Sequence, residues 1–383
     1  MKILMLATGM GLGGAETQIC ALSARLIDLG HEVHIAWLTG DAGLALPAKA
    51  ITHPLNIYKT PIGFTRAITR LRKLTHTIEP DVIHAHMVHA NLIARLTRLT
   101  NRHKNGLHQP RLICTAHSSH EGGRLLMLGY RFTDSLTDLT THVSQQAANT
   151  FIDKGAIGKD RILVVPNGVD TDRFKPDNTA YRNVRQTLGL NNRTIIMAVG
   201  RLEPPKNHAS LIRALAQIRP VYPNVHLLLV GDGSLRGELE NLTTKLNLND
   251  AVTLLGNRHD VPTLLNAADV VVMSSRFEGF GLAIAEAMAT EKLVVATDCG
   301  GAAALLEGHG IVIPIGDDHA LATGLKKALA LAPEARQTLG KMARQRVIEA
   351  YSIEVVTDRW LQIYGHPNHL MPHRSTTPTK STK

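Results

Sequence analysis

The chain has 383 residues, 44% of them apolar and 19% charged, and 42 Lys and Arg residues against 32 Asp and Glu residues give a formal net charge of +10. This composition excludes a mainly disordered chain, and the length predicts two domains. The longest apolar runs, such as residues 195–199, are strand-sized, which excludes a membrane-spanning helix, and glycines follow residues 1–7 where a signal peptide would need apolar side chains, so we expect a cytoplasmic protein.

Short apolar strands and helical patterns alternate along the first half of the chain. Residues 2–8 are predicted to form a buried strand, residues 9–14 a glycine loop, residues 15–29 a helix and residues 31–38 a second strand. This alternation favours a parallel sheet covered by helices. Further strands are predicted at residues 82–86, 112–116, 141–143 and 162–165.

The second half repeats this pattern from a strand at residues 194–199 onward. We therefore expect an α/β protein with two doubly wound, Rossmann-like domains, at residues 1–170 and 194–350, joined by a polar linker region at residues 171–193. A last helix is predicted at residues 351–364. The tail at residues 365–383 is rich in Pro, Thr and Ser and is expected to be disordered.

The positive charge is concentrated in the first half. Residues 1–165 carry 18 basic and 11 acidic side chains, whereas residues 166–364 carry 21 of each. Two basic, amphipathic helices are predicted there. They form either a surface that binds anionic lipid headgroups or an anionic acceptor, or a solvated helix face without such a role. Aromatic residues are only 4% of the chain, which argues against nucleic acid. The cations of this predicted surface are Arg66, Arg70 and Lys73 on the first helix and Arg95, Arg98 and Arg102 on the second.

Two patterns resemble metal sites, but the predicted fold explains both. Several histidines fall at strand ends or in loops, without acidic or cysteine partners at the spacing of metal ligands. The sequence Asp170-Thr-Asp172 lies in the turn after the first domain. Three widely separated cysteines are expected to be free thiols. No metal or other cofactor is therefore expected. The histidines are His84, His86, His89, His117 and His120, and the cysteines are Cys20, Cys114 and Cys299.

The glycine loop after the first strand fits a dinucleotide-binding fingerprint. Gly9, Gly11 and Gly14 give the spacing G-x-G-x-x-G between a strand and a helix. The acidic residue that should hold a ribose comes late, at Asp41. An NAD-dependent oxidoreductase that uses this loop therefore stays open as an alternative function.

The second half carries the more informative motif. Arg201 and Lys206 follow a predicted strand at the edge where the carboxyl ends of parallel strands bind ligands, and two fixed cations there suit a diphosphate. Residues 274–282 end another strand, bend through two glycines and open a helix whose free N–H groups can bind phosphate or sugar oxygens. Glu278 and Glu286 would repel a diphosphate unless they bind hydroxyl groups, which sugars supply.

These residues resemble the retaining glycosyltransferases of family 4, which have the GT-B fold with a final helix that crosses back to the first domain. The resemblance covers nearly the whole chain. It implies transfer of a sugar from a nucleotide diphosphate donor, with uridine as the expected base and with retention of anomeric configuration. The matching motifs are Gly11-Leu-Gly-Gly-Ala-Glu16, Ile83-His-Ala-His86, Thr115-Ala-His117, Val165-Pro-Asn-Gly-Val-Asp170, Gly200-Arg201 with Lys206, Val230-Gly-Asp-Gly233, and Glu278 with Glu286.

The resemblance also implies roles for single residues. Arg201 and Lys206 would clamp the diphosphate, Glu278 would contact the donor sugar, and Glu286 would hold the ribose hydroxyls. His117 would lie near the anomeric carbon, which makes Glu278, Arg201, Lys206 and His117 the implied catalytic residues. The chain departs from the family at Ala304, where an acidic residue is usual. The other implied donor contacts are Gly13, Gly14, Asn257, Arg258, Phe280, Gly281 and Leu282.

The basic first half is similar to that of family members that extend lipid-linked glycans for bacterial surface polysaccharide or lipopolysaccharide. We therefore expect a protein bound peripherally to the cytoplasmic face of the inner membrane, with a glycan or lipid-linked glycan acceptor. The cationic clamp can neutralise the leaving diphosphate without a metal ion, and front-face displacement is the expected mechanism. Two alternatives stay open: Glu278 as a nucleophile, and a protein that binds nucleotide sugars without catalysis.

Overall fold

The structure is a computed structural model that describes residues 1–57, 60–101, 109–118 and 123–365. It divides into two compact units. The first comprises Met1–His117, Glu121–Val165 and the chain from Thr357, and the second comprises Ser118–His120 and Pro166–Val356. Beyond Gly365, the tail that we expect to be disordered lies outside the described residues. No helix of the described chain is long and apolar enough to cross a membrane.

The first unit is built on one parallel sheet. Its described strands are β1 (Lys2–Ala7), β2 (Glu32–Trp37), β3 (Ile51–Pro54), β4 (Val82–His86), β5 (Arg111–Ala116), β6 (Leu139–His142) and β7 (Ile162–Val164). Its helices are α1 (Gly14–Asp28), α2 (Pro61–Ile78), α3 (Val88–Asn101), α4 (Arg124–Thr133) and α5 (Gln145–Asp153). The strand order is β3-β2-β1-β4-β5-β6-β7, so the direction of winding reverses between β1 and β4.

The second unit repeats the same topology. Its described strands are β8 (Thr194–Val199), β9 (Val225–Val230), β10 (Val252–Gly256), β11 (Val270–Met273), β12 (Leu293–Thr297) and β13 (Ile311–Ile313). Its helices are α6 (Asn178–Thr187), α7 (His208–Ile218), α8 (Arg236–Lys245), α9 (Val261–Ala267), α10 (Leu282–Ala289), α11 (Ala302–Leu306), α12 (Asp318–Ala330) and α13 (Pro333–Tyr351). The parallel strands lie in the order β10-β9-β8-β11-β12-β13, so winding reverses between β8 and β11.

The central strands of both sheets are buried on their two faces, which explains why β1 and β9 are almost continuously apolar. All side chains from Ile3 to Ala7 in β1 are fully buried, and every residue of β9 is buried as well. Burial of one such Leu or Ile side chain contributes about 1.5–3 kcal/mol to folding. The apolar strands therefore fix the centre of each unit, and polar residues at their carboxyl ends are left at one edge of the sheet.

The stretch that we predict as a linker lies inside the second unit. Residues 171–193 contain α6, whose first N–H groups are capped by the carboxylate of Asp177, and Arg185 of this helix donates to the carbonyl of Ala267. The boundary between the units falls earlier, between Val165 and Pro166. The sequence patterns also miss the strands β3 and β13, because three or four residues are too few to show a period. They miss α13 because its buried face consists largely of small residues.

The last helix, α14 (Ile353–Gly365), carries the chain from the second unit back into the first. The change of unit falls between Val356 and Thr357. Within the first unit, the hydroxyl of Tyr364 lies 2.7 Å from Nδ1 of His84 in β4, and the rings of Trp360 and His84 lie 4.4 Å apart. The expected GT-B architecture, with two Rossmann-like domains and a crossing terminal helix, is therefore confirmed.

Candidate functional site

The candidate donor site lies at the carboxyl edge of the second sheet, where winding reverses between β8 and β11. This is the position at which open α/β sheets bind ligands, because the loops after the two strands diverge there. The loop after β8 includes a short 3-10 turn at Pro204–Lys206. It is tied to the loop after β11, because Arg276 donates its N–H to the carbonyl of Pro205 and Ser274 donates its hydroxyl to that of Lys206.

Lys206 and Glu278 meet at the centre of this site. Nζ of Lys206 lies 2.5 Å from Oε1 of Glu278, and the hydroxyl of Ser275 donates to the same oxygen at 2.6 Å. Both side chains are mostly buried, with 25% of Lys206 and 12% of Glu278 exposed. Neither bond uses Oε2, which accepts no hydrogen bond from the described residues. Glu278 can therefore hold Lys206 with one oxygen and accept a ligand hydroxyl with the other.

Arg201 supplies a second cation in the loop after β8. It is exposed and forms no ion pair with any residue that the structure describes. Its acidic neighbour Glu203 instead accepts two hydrogen bonds from Ser234, which, with the nearby Arg201 charge, lower the pKa of that carboxyl group. Behind them, burial and the nearby Lys206 charge lower the pKa of His208 to about 4. His208 is thus neutral at pH 7, and the guanidinium of Arg201 is available to an anion.

The start of α10 adds backbone donors to the site. Gly281 precedes the helix with φ at +89°, a left-handed conformation that glycine adopts without strain. The N–H groups of the first turn, beginning at Leu282, have no partner four residues back and can bind a phosphate or sugar oxygen. The ring of Phe280 is buried and lies 5.6 Å from that of Tyr351, which anchors the loop before the helix.

Glu286 projects from α10, one turn inside its start. It is partly buried, and this burial raises the pKa of its carboxyl group to about 7, against an opposing effect of the Arg173 charge. At neutral pH the group is therefore divided between its acid and its carboxylate. A desolvated carboxyl group suits hydrogen bonds to hydroxyls better than a contact with phosphate, because a second negative charge would raise the electrostatic cost further.

Three further residues fix the loop that carries Glu278, and the sequence analysis does not identify their role. The hydroxyl of Thr297 and the thiol of Cys299 both donate to the carbonyl of Ser275, at 2.6 and 3.3 Å. Gly300 has φ at +62°, and a Cβ built there would lie 2.5 Å from Cβ of Glu278. In the sequence, the adjacent Gly300 and Gly301 are the feature that could have indicated this close packing. Ala304, where the chain departs from the family, is exposed on α11.

The predicted contact with the base lies after β10, at the same edge of the second sheet. Asn257 and Arg258 are both exposed. The guanidinium of Arg258 makes two hydrogen bonds to the carboxylate of Asp260, at 2.8 and 2.7 Å. Arg258 is therefore already paired with an acid, whereas the side chain of Asn257 faces solvent.

The remaining predicted residues lie in the first unit. Gly13 and Gly14 follow β1 at the carboxyl edge of that sheet, and the carbonyl of Gly13 accepts from the backbone and side chain of Thr17 in the first turn of α1. His117 follows β5 at the same edge, with Nε2 2.9 Å from Nδ1 of His86. Burial lowers the pKa of His117 to about 3, so its imidazole is neutral at pH 7.

The patterns that resemble metal sites have other roles. Oδ1 of Asp170 accepts from the N–H groups of Asp172 and Arg173, so this carboxylate closes a turn. His84 bonds to Tyr364 and to Thr115, and His120 lies outside the described residues. Among the residues that are described, no group of three or more His, Cys, Asp or Glu side chains is arranged to hold a metal ion. The three cysteines are free, as expected, and burial raises the pKa of Cys20 to about 11.

The cations predicted for the basic surface are exposed on one helix, but the prediction is wrong for the other. Arg66, Arg70 and Lys73 are exposed on α2. Arg95 is fully buried, because α4 packs over α3, and its guanidinium donates to the carbonyl of Tyr130 and to the hydroxyl of Thr140. Arg98 pairs with Asp138 at 2.7 Å and is only 21% exposed. Arg102 lies outside the described residues.

Comparisons with known proteins find glycosyltransferases along both units. A family model described as Glycosyltransferase Family 4 matches residues 12–173, and one described as Glycosyl transferases group 1 matches residues 181–346. The UDP-Gal:alpha-D-GlcNAc-diphosphoundecaprenol alpha-1,3-galactosyltransferase of Escherichia coli is 30% identical over 210 residues, which are 53% of this chain and 54% of that protein. Together the two models cover most of both units.

Two further similarities extend over most of the chain. One component of the phosphatidylinositol N-acetylglucosaminyltransferase of Arabidopsis thaliana is 26% identical over 345 residues, which are 84% of this chain and 72% of that protein. The crystal structure of Anabaena Alr3699/HepE in complex with UDP-glucose has a TM-score of 0.82 and is 25% identical, with 94% of this chain and 98% of that chain covered. These similarities favour a nucleotide-sugar site over the oxidoreductase alternative.

Proposed function

Because the chain belongs to the family 4 glycosyltransferases with the GT-B fold, we propose that it transfers a hexosyl or N-acetylhexosaminyl group from a UDP-sugar to a hydroxyl of a glycan acceptor. We further propose that the acceptor is lipid-linked, that the anomeric configuration is retained, and that the reaction serves bacterial surface polysaccharide assembly. The UDP-glucose complex of the Anabaena protein and the UDP-Gal donor named for the Escherichia coli relative support this donor class.

The observation that carries the proposal is the contact between Lys206 and Glu278. Since the two groups lie 2.5 Å apart, a phosphate oxygen bound to Lys206 would leave the attached sugar beside Glu278. Oε2 of Glu278 is then available to a sugar hydroxyl, and Arg201 to the second phosphate. The N–H groups at the start of α10 complete a set of fixed positive charges and dipoles, which stabilise a diphosphate leaving group without reorganisation.

The proposed mechanism is front-face displacement. The acceptor hydroxyl attacks the anomeric carbon on the side from which UDP leaves, and the departing phosphate oxygen takes the proton of that hydroxyl. Lys206 and Arg201 neutralise the charge that grows on the diphosphate, which requires no metal ion in this scheme. The bonds that Glu278 accepts from Lys206 and Ser275 reduce its nucleophilicity, which favours this route over a covalent intermediate.

The proposed acceptor class is supported by charge and by relatives. The first unit carries the basic excess of the chain, and Arg66, Arg70 and Lys73 are exposed on α2. The name of the Escherichia coli relative contains diphosphoundecaprenol, and that of the Arabidopsis thaliana relative contains phosphatidylinositol. We accordingly propose a peripheral association with the cytoplasmic face of an anionic membrane, where each nearby cation contributes about 1 kcal/mol.

The test is a screen of nucleotide sugars with the purified chain. We expect a UDP-sugar to raise the melting temperature and to be hydrolysed slowly or transferred to a glycan acceptor, whereas NAD leaves the melting temperature unchanged. Stabilisation by GDP-sugars alone would contradict the uridine assignment. Binding of a UDP-sugar without hydrolysis or transfer to any lipid-linked acceptor would instead support a non-catalytic binder.

A further inference from the structure

Helix α4 exposes large apolar side chains on its outer face. Leu125 is 84% exposed, Leu128 is 46% exposed and Phe132 is 77% exposed. Their spacing of three and seven residues places them in one row along the helix. We refer to these three residues as the α4 stripe. A contiguous row of exposed large apolar side chains is typical of surfaces that bind a protein or a membrane.

The other side of α4 already supplies the contacts with its own unit. Met127 and Tyr130 are buried on that side, and the hydroxyl of Tyr130 accepts a hydrogen bond from Asn91 in α3. The helix is thus anchored through one apolar face while a second apolar face remains in solvent. The stripe is therefore additional to what folding of the first unit requires.

The charges around the stripe identify its ligand. Arg124 and Arg131 are both exposed on α4, and their spacing of seven residues places them together along one border of the stripe. The helix contains no acidic residue. Further exposed cations lie on α2 of the same unit, where Arg66, Arg70 and Lys73 are found. An apolar row bordered by arginines is typical of a helix that lies in the headgroup region of an anionic bilayer.

We propose that the α4 stripe inserts into an anionic membrane surface and so docks the first unit on the bilayer. Leu125, Leu128 and Phe132 would enter the boundary between headgroups and acyl chains, and Arg124 and Arg131 would bind lipid phosphates. The chain enters α4 from the carboxyl edge of β5, the edge that also carries His117. This inference rests on the proposed function, because it brings that edge of the first unit to a lipid-linked acceptor.

The experiment is flotation of the full-length chain with vesicles of phosphatidylcholine alone or with about one third phosphatidylglycerol. We expect the wild-type chain to float with the anionic vesicles, and a Leu125→Gln/Phe132→Gln variant to lose at least about tenfold in vesicle affinity. An Arg124→Gln/Arg131→Gln variant should lose part of the preference for anionic vesicles, because Arg66, Arg70 and Lys73 remain on α2. Val221→Gln is the matched control, since Val221 is 64% exposed in the second unit, and it should float as the wild type does.

Two further measurements keep this inference separate from the proposed function. Stabilisation by UDP and hydrolysis of the UDP-sugar are measured for every variant without vesicles, and we expect neither to change, which also shows that the variants fold. Flotation of Leu125→Gln/Phe132→Gln equal to that of the wild type would overturn the docking surface. So would a wild-type dimer, detected by light scattering, that this variant converts to monomer without any change in flotation. Absence of UDP stabilisation in the wild type would count against the proposed function alone.

Discussion

At the scale of single residues, the candidate donor site combines an ion pair with a second cation. Lys206 is paired with Glu278, whereas Arg201 has no acidic partner in the described chain. A bound diphosphate would therefore pair with Arg201 directly, and it would share Lys206 with the carboxylate of Glu278. In the proposed mechanism both cations act on charge that increases as the donor bond breaks, so their main effect should be on turnover rather than on folding.

Replacement of either cation should lower turnover strongly. We expect Arg201→Ala and Lys206→Ala each to reduce kcat by about 10²–10³-fold, because each removes a fixed charge from the leaving group. The melting temperature of Arg201→Ala should match that of the wild type, since Arg201 is exposed. Arg219→Ala serves as control, because Arg219 pairs with Asp250 at the start of the second sheet's strands and should leave kcat unchanged. Normal turnover in both site variants would remove the clamp from the mechanism.

Glu286 makes stability depend on pH in a predictable direction. Burial raises its pKa to about 7 in the folded chain. As the pH rises, the carboxyl group therefore ionises in the unfolded chain before it ionises in the folded chain. The folded state loses stability over this range, and the full loss is reached only above the pKa of the folded chain. We expect Glu286→Gln to remove a cost of about 1 kcal/mol, after allowance for solvent exposure, and so to raise the melting temperature by about 2–4 °C at pH 8. Near pH 4 the variant and the wild type should melt together.

Donor affinity provides the matching functional measurement. Glu286→Gln should weaken UDP binding above neutral pH if the carboxylate holds the ribose hydroxyls, and the loss should shrink at acid pH, where the wild-type group is protonated. A variant that is more stable at pH 8 yet binds UDP as tightly as the wild type would contradict the role of Glu286.

At the scale of elements, two helices organise the protein. Helix α10 carries backbone donors at its start and Glu286 within it, and Arg344 of α13 donates to the carbonyl of Ala289 at its end. Helix α14 begins in the second unit and ends in the first. Its last turn is attached to β4 by the hydrogen bond between Tyr364 and His84. The chain therefore returns to the first sheet at a buried, hydrogen-bonded position.

Loss of the Tyr364 hydroxyl should weaken this attachment. Tyr364→Phe leaves Nδ1 of the buried His84 without its partner, and we expect the free energy of unfolding to fall by about 1–3 kcal/mol. Urea denaturation measures the effect. Tyr222→Phe, at a half-buried tyrosine of the second unit, is the control and should unfold as the wild type does. Equal midpoints for the Tyr364 variant and the wild type would show that the bond contributes nothing.

At the scale of the whole molecule, buried neutral histidines should make the fold sensitive to acid. Burial lowers the pKa values of His84, His86, His117 and His208 in the folded chain. As the pH falls through about 6.5, the unfolded chain binds protons that the folded chain does not, so stability decreases. These four groups outweigh the opposite effect of Glu286.

We expect the free energy of unfolding to fall between pH 7 and pH 5, each buried histidine contributing about 1.4 kcal/mol per pH unit once its unfolded form is protonated. His117→Asn should reduce the slope of the free energy of unfolding against pH by about 1.4 kcal/mol per pH unit, which corresponds to one proton. His319→Asn is the control, because His319 is exposed and should leave the slope unchanged. Identical slopes in all three proteins would contradict the assignment of His117 as a buried neutral group.

The sequence by itself determined the two parallel sheets and indicated most residues of the candidate donor site. Strand-sized apolar runs and glycine turns mark the carboxyl edges of the strands, and Arg201, Lys206, Gly281 and Glu286 are close in sequence to those edges. Local pattern was sufficient there because a strand and the loop after it are one continuous segment.

Only the tertiary structure decided which charged and apolar side chains face solvent. Arg95 appears on the charged face of a helix but is buried by α4, whereas Phe132, which a burial rule would place inside, is exposed. The tertiary structure also places Thr297 and Gly300 against the loop that carries Glu278. The physical reason is that burial depends on what packs against a helix or loop, and those neighbours come from distant parts of the chain.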